Sequence, residues 1–205
     1  MHMRWSYPGS SERRPAVAAA VLALALSTLG AGASPPGAWR LVDLEGRPVQ
    51  PFAGSPAATV FVLVRTDCPI SNRYAPELRR IYERFAPRGA RFWLIYPDPA
   101  EPVEAIRAHL SAYGYPMGAL RDPHHDLVRA TAVEVTPEAV VFAPDGVRAY
   151  RGRIDDRYVR FGKARPVPTR HDLERAIEAV LDGGLPEVRT ARAIGCFIPP
   201  LPSSR

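Results

Sequence analysis

Cys68 and Cys196 are the only thiols among the 205 residues. Two cysteines are too few for a disulfide-framework miniprotein or for a Cys-rich zinc site. A cysteine reacts as its thiolate, and the free N–H groups and dipole of a helix start favour that anion. Cys68 has such a position. It stands in Thr66-Asp67-Cys68-Pro69-Ile70-Ser71-Asn72, between the apolar run Thr59 to Arg65 and an amphipathic helix. Position alone leaves two readings, a reactive thiolate or a buried cysteine that ends a strand. Ser71 can likewise hydrogen-bond a thiolate or cap the helix. Cys196 lies in a Pro-rich tail, with Phe197 and Ile198 to dock it. If the tail folds back, Cys196 can resolve an oxidised Cys68. A static bridge, a link to a second chain and two independent thiols are the alternatives.

Other side chains offer less. Arg151 and Arg153 alternate along one strand and share a face. Arg153 can stabilise a thiolate or a peroxide oxygen there, or pair with Asp155 and Asp156. His124-His125 follows Asp122-Pro123. Adjacent histidines point in different directions on a helix, so one at most can join a metal set. His109 and His171 read as surface residues. No Walker or dinucleotide loop and no G-x-S-x-G elbow occurs in the sequence.

The elements that position these groups follow from the pattern. Thr59 to Arg65 (TVFVLVR) reads as a buried central strand. Tyr74, Leu78, Ile81, Tyr82 and Phe85 share one helical face. Arg91 to Tyr96 is a second strand, and Pro102 to Tyr113 a helix that Gly114 and Pro116 end. Asp122 to Ala132 reads as a short helix. Glu138 to Phe142 and Val147 to Ile154 form a hairpin about Pro144-Asp145-Gly146. Thr169 should cap a last helix with Leu173, Ile177, Val180 and Leu181 inward. This order predicts a three-layer α/β fold with a central mixed sheet flanked by helices.

Arg4, Arg13 and Arg14, the apolar run Ala16 to Leu29, and Ala31-Gly32-Ala33 make residues 1–33 a secretory signal peptide. An uncleaved signal holding the chain at the membrane is the alternative. Residues 34–40 are then a linker, 41–184 the domain, and 185–205 the tail. Export places the thiols in a periplasmic or extracellular setting where disulfides persist. The chain carries 27 Lys+Arg against 21 Asp+Glu. Without the leader's three arginines and Glu12 the net charge falls from +6 to +4. With no basic run, this excludes a nucleic-acid footprint. An apolar fraction of 46% excludes a disordered chain.

The order of motifs resembles the thioredoxin-like superfamily. Cys68-Pro69-Ile70-Ser71 stands where that family has Cys-x-x-Cys, and Pro76 matches its helix-kinking proline. Thr136-Pro137 matches its cis-proline loop, and Pro144-Asp145-Gly146 its hairpin turn. The segment between Phe92 and Asp122 looks like the redoxin branch, which holds the alkyl hydroperoxide reductase and thiol-specific antioxidant relatives. With Arg151-Gly152-Arg153-Ile154-Asp155-Asp156 and Gly195-Cys196-Phe197-Ile198, it resembles a group of secreted bacterial redoxins. Such proteins are often joined to a c-type cytochrome region, which implies a cytochrome or other respiratory component as partner.

The resemblance implies an exported thiol-dependent oxidoreductase. Cys68 attacks a protein disulfide or a peroxide, and a thiol reductant restores it. Cys196, Ser71, Thr136, Pro137 and Arg153 assist, with no cofactor. Ser71 replaces the second motif cysteine, so no relay exists within the motif. Peroxiredoxins place a threonine three residues before the reactive cysteine. Here Thr66 lies two before it, and Val62 stands where their proline does. Two other readings stay open. One is a copper-delivery module of the same fold using Cys68 with His124 or His125. The other is a non-catalytic binding domain.

Overall fold

The computed structural model describes residues 1–3 and 39–202 of the chain, so most of the expected leader and of the linker lies outside the described residues. In chain order the elements are β1 (Ala58–Leu63), α1 (Pro69–Arg73), α2 (Ala75–Phe85), β2 (Ala90–Tyr96) and α3 (Val103–Tyr113). Then follow β3 (Gly118–Arg121), α4 (Asp126–Thr131), β4 (Val135–Thr136), β5 (Glu138–Phe142) and β6 (Arg148–Gly152). The last are β7 (Tyr158–Arg160), β8 (Lys163–Ala164), α5 (Asp172–Leu181), β9 (Thr190–Ala191) and β10 (Cys196–Phe197).

β1 is buried along its whole length, as its β-branched run requires. It is central in a six-stranded sheet ordered β3-β2-β1-β5-β6-β9. β2 runs parallel to β1 and β3, whereas β5 runs antiparallel to β1 and β6. The sheet is therefore mixed, with an apolar layer on each face. Val60 and Val62 point towards Leu78, Ile81 and Phe85 of α2 and Leu173, Ile177 and Val180 of α5. Phe61 and Leu63 point the other way, towards Leu41, Leu120 and Leu127. There Trp39, Phe52, Phe61 and Phe142 interlock, with ring centroids 5.5–6.0 Å apart. Such tilted and edge-on pairs add about 0.5–1.5 kcal/mol each beyond their buried area.

Several elements differ from expectation. The active-site helix starts at Pro69 and breaks at Tyr74 before resuming as α2. Pro76 has no N–H to give, and its ring would meet the carbonyl of Asn72 in a continuous helix. Gly118–Arg121 is a strand that pairs with β2 from Trp93 to Tyr96. α4 spans Asp126–Thr131 and is shorter than expected, because Asp122 acts as a cap outside it. The Asp122 carboxylate accepts from the N–H groups of Asp126 and Val128 at 2.8 and 3.0 Å. Thr169 does not cap α5; its hydroxyl and N–H both bond Asp156, each at 2.6 Å, and His171 takes the cap position.

Candidate redox site

Cys68 sits where β1 delivers the chain to α1. It is the N-cap of that helix, and its sulfur accepts from the Ser71 N–H at 3.5 Å. The thiol is fully buried and donates to the Thr136 carbonyl at 3.0 Å. The Thr136–Pro137 peptide is cis. Ser71 is also fully buried, and among the described residues its hydroxyl has no hydrogen-bond partner. It can turn to donate to the sulfur once the proton leaves.

The tail brings Cys196 to this point. β10 pairs antiparallel with β4, Cys196 opposite Thr136 and Phe197 opposite Val135. The Ile198 N–H extends the ladder by donating to Glu134 O at 3.0 Å. Arg65 donates to the Phe197 carbonyl at 3.3 Å and to Asp67 at 2.9 Å, tethering the tail to the loop before Cys68. Ile198 packs against the aromatic core, but Phe197 is 78% exposed and does not dock as expected.

The environment polarises the two sulfurs. Burial raises the Cys68 pKa, but hydrogen bonds with Cys196, Ser71 and Thr136 outweigh it and hold the thiol below its ordinary value. Cys196 goes the other way. Burial, its hydrogen bond to Cys68 and the negative charge there push it up to about 12. The environment thus favours the anion at Cys68 and the protonated thiol at Cys196.

A hydrogen-bonded frame fixes the loop that carries Cys68. The Asn72 carboxamide donates to the Thr66 carbonyl at 3.0 Å and meets His109 Nε2 at 2.8 Å. His109 Nδ1 in turn meets the Tyr96 hydroxyl at 2.8 Å. Glu101, also buried, accepts from the Thr66 N–H at 2.7 Å. At the far end of α1, the Tyr74 hydroxyl donates to buried Asp155 at 2.5 Å. His109 is therefore buried, which corrects its reading as a surface residue, and that burial lowers its pKa.

Cys68, Ser71, Thr136, Pro137 and Cys196 thus meet at one place. Arg153 is elsewhere: its Nε donates to Asp172 at 2.6 Å. His125 is buried with Nε2 on the Pro97 carbonyl at 2.8 Å, and the His124 carbonyl accepts from Arg129 at 2.6 Å. Neither histidine contacts Cys68 among the described hydrogen bonds. Arg65 and the frame of Asn72, His109, Glu101 and Tyr74 were not singled out from sequence. Single polar residues at helix and loop positions carry no local sign of what they will touch.

Solved structures share this fold. A conserved protein of uncharacterized role from Geobacillus kaustophilus has 26% identity and a TM-score of 0.72, over 83% of this chain and 92% of its own. A hypothetical protein from Sinorhizobium meliloti has 27% identity and a TM-score of 0.65, over 77% of this chain and 88% of its own. A Neisseria meningitidis protein assigned as a thioredoxin shares the fold at 19% identity and a TM-score of 0.55, over 73% of this chain and 91% of its own. No curated protein matches the chain. Residues 38–151, more than half of the sequence, match the AhpC/TSA family. The chain belongs to the AhpC/TSA family, in the redoxin branch of the thioredoxin-like superfamily.

Proposed function

We propose that the chain is an exported thiol–disulfide oxidoreductase in which Cys68 and Cys196 cycle between dithiol and disulfide. The observation that carries this reading is the seating of Cys196 beside Cys68 by the β10–β4 ladder. The Cys68 thiolate attacks one sulfur of a substrate disulfide. The substrate S–S bond breaks, its other sulfur leaves as a thiolate, and a Cys68–substrate mixed disulfide forms. Cys68 then carries no negative charge, so one cause of the high Cys196 pKa lapses. Cys196 loses its proton and attacks the Cys68 sulfur. The second substrate thiolate departs, leaving the substrate reduced by two electrons and the protein as its Cys68–Cys196 disulfide. An external thiol reductant returns it to the dithiol.

Ser71 serves by donating to the Cys68 thiolate, and Thr136–Pro137 by presenting the backbone edge on which a substrate strand lies. A peroxide oxygen is the second acceptor for the same thiolate, through a sulfenic acid that Cys196 condenses with loss of water. Disulfide exchange is preferred, because Thr66 is out of the peroxidase position and its backbone is engaged by Glu101 and Asn72. Peptide mapping without reductant tests the reading. After mild oxidation a Cys68–Cys196 linked pair is expected, and two free thiols would defeat it.

A further inference from the structure

We propose that the Val135–Thr136 edge docks one class of partner, an extended polypeptide with glycine directly before its reactive cysteine. This docking rests on the thiol-exchange reading above. The tail strand already holds that edge as an internal occupant, with Cys196 opposite Thr136 in antiparallel register. A partner strand in the same register puts its own sulfur where Cys196 now stands, against Cys68. It must therefore displace the tail.

The selectivity comes from the residue before the cysteine. The backbone of Gly195 runs directly over the Thr136–Pro137 peptide. A Cβ at Gly195 would overlap the Thr136 carbonyl oxygen, and would stand 2.6 Å from its carbon and 3.2 Å from the Pro137 nitrogen. These are backbone atoms pinned between β4 and β5, so they cannot swing aside as a flexible side chain does. Gly195 is not among the glycines with positive φ. Its lack of a side chain is thus a matter of space and not of backbone conformation. The residue after the cysteine is free by comparison, since Phe197 projects into solvent. The edge reads one position, and it reads it by steric exclusion.

The test uses the reduced full-length Cys196→Ser chain and three peptides, Gly-Cys-Phe, Ala-Cys-Phe and Val-Cys-Phe. Each peptide cysteine is blocked as a mixed disulfide with thionitrobenzoate. Cys68 attacks the peptide sulfur and the coloured thionitrobenzoate leaves with the bonding electron pair, so no other oxidant or reductant enters. The tail competes equally with all three peptides, and the ratio of rates isolates the docking step. The glycine peptide should react about tenfold or more faster than the alanine peptide, with valine slower still. In the full-length Gly195→Ala chain the tail cannot seat, and Cys68 should be alkylated about tenfold faster than in the parent. Equal rates for the glycine and alanine peptides, or unchanged alkylation in Gly195→Ala, would overturn the glycine requirement. A small aromatic disulfide serves as control. If it reacts with Cys68 while the peptides are not distinguished, only the docking rule fails. If nothing reacts with Cys68, the thiol-exchange reading fails and the docking with it.

Discussion

The two segments that meet at the site are built in opposite ways. Cys68 stands at the end of a fully buried central strand, in a loop fixed by Asn72, Glu101 and His109. Cys196 stands in a two-residue strand held by its pairing with β4, by Ile198 and by Arg65. The first is part of the frame; the second is laid on it. Local opening follows the number of buried contacts and protected hydrogen bonds, so the tail opens long before the loop does. That asymmetry suits the chemistry. A nucleophile benefits from a fixed environment that favours its anion, whereas a second thiol must give way to a substrate and then return.

The largest break in this comparison comes from removing each sulfur in turn. Cys68→Ser should abolish thionitrobenzoate release from an aromatic disulfide down to the uncatalysed rate. Cys196→Ser should keep that first release but accumulate the Cys68 mixed disulfide, visible by intact mass. If Cys68→Ser keeps full turnover while Cys196→Ser is dead, the roles are reversed.

Acidity gives the next contrast. The ordinary thiol value for both residues is 9.0, with Cys68 below it and Cys196 raised to about 12. Between the native pKa of Cys68 and 9.0, the unfolded chain binds the proton that the native chain has released. Its contribution to stability is therefore present above 9.0 and lost as pH falls through the native value. Cys196 has the opposite sign. Its contribution is present below 9.0 and lost as pH rises towards 12. Buried tyrosines such as Tyr96 and Tyr150 also resist ionisation and weaken the fold at alkaline pH. The measurement is therefore a difference of urea midpoints between the reduced parent and each Cys→Ser variant. The parent's advantage over Cys68→Ser should grow up to about pH 9, and its advantage over Cys196→Ser should shrink above it. Parallel curves would show that the sulfurs are not polarised.

Tyr74→Phe tests the frame alone. It removes the donor to Asp155, which is 1% exposed and whose other oxygen has only the Arg157 guanidinium at 3.9 Å and no hydrogen bond among the described residues. A buried carboxylate left short of a partner should lower stability by about 2 kcal/mol in urea unfolding. The alkylation rate of Cys68 at low urea should hold, because the tail's tethers are intact. A faster rate would mean that frame and tail open together.

How far the sequence was legible follows the same division. β1 and, after Glu138, β5 are apolar and partly β-branched, and their local pattern coincides with their buried state. The place of Cys68 at a strand–helix junction was legible for that reason. β3 has the sequence Gly-Ala-Leu-Arg, which has little strand preference of its own, and pairing with β2 imposes its conformation. His109 occupies an ordinary helical position, and only the partners Asn72 and Tyr96 explain its burial. The tail was recognisable by its cysteine. Its register was not, because two residues amid prolines carry no periodicity and pairing with Val135–Thr136 decides the alignment.

The finest probe of the tail is Arg65, because its side chain links the tail to the loop before Cys68. Its guanidinium reaches the Phe197 carbonyl on one side and Asp67 and Asp98 on the other, at 3.3, 2.9 and 3.6 Å. Arg65→Met keeps much of the side chain's length and removes the donors. The tail then loses one charge-assisted hydrogen bond while its backbone pairing with β4 persists. A loss of about 1 kcal/mol multiplies the open fraction roughly fivefold. When opening and closing are fast relative to labelling, the alkylation rate of Cys68 tracks that fraction and rises by the same factor. The global urea midpoint should move far less, since the frame around α1 does not depend on the tail. An unchanged alkylation rate would show that the β10–β4 ladder alone holds the tail, with Arg65 serving only its own loop through Asp67 and Asp98.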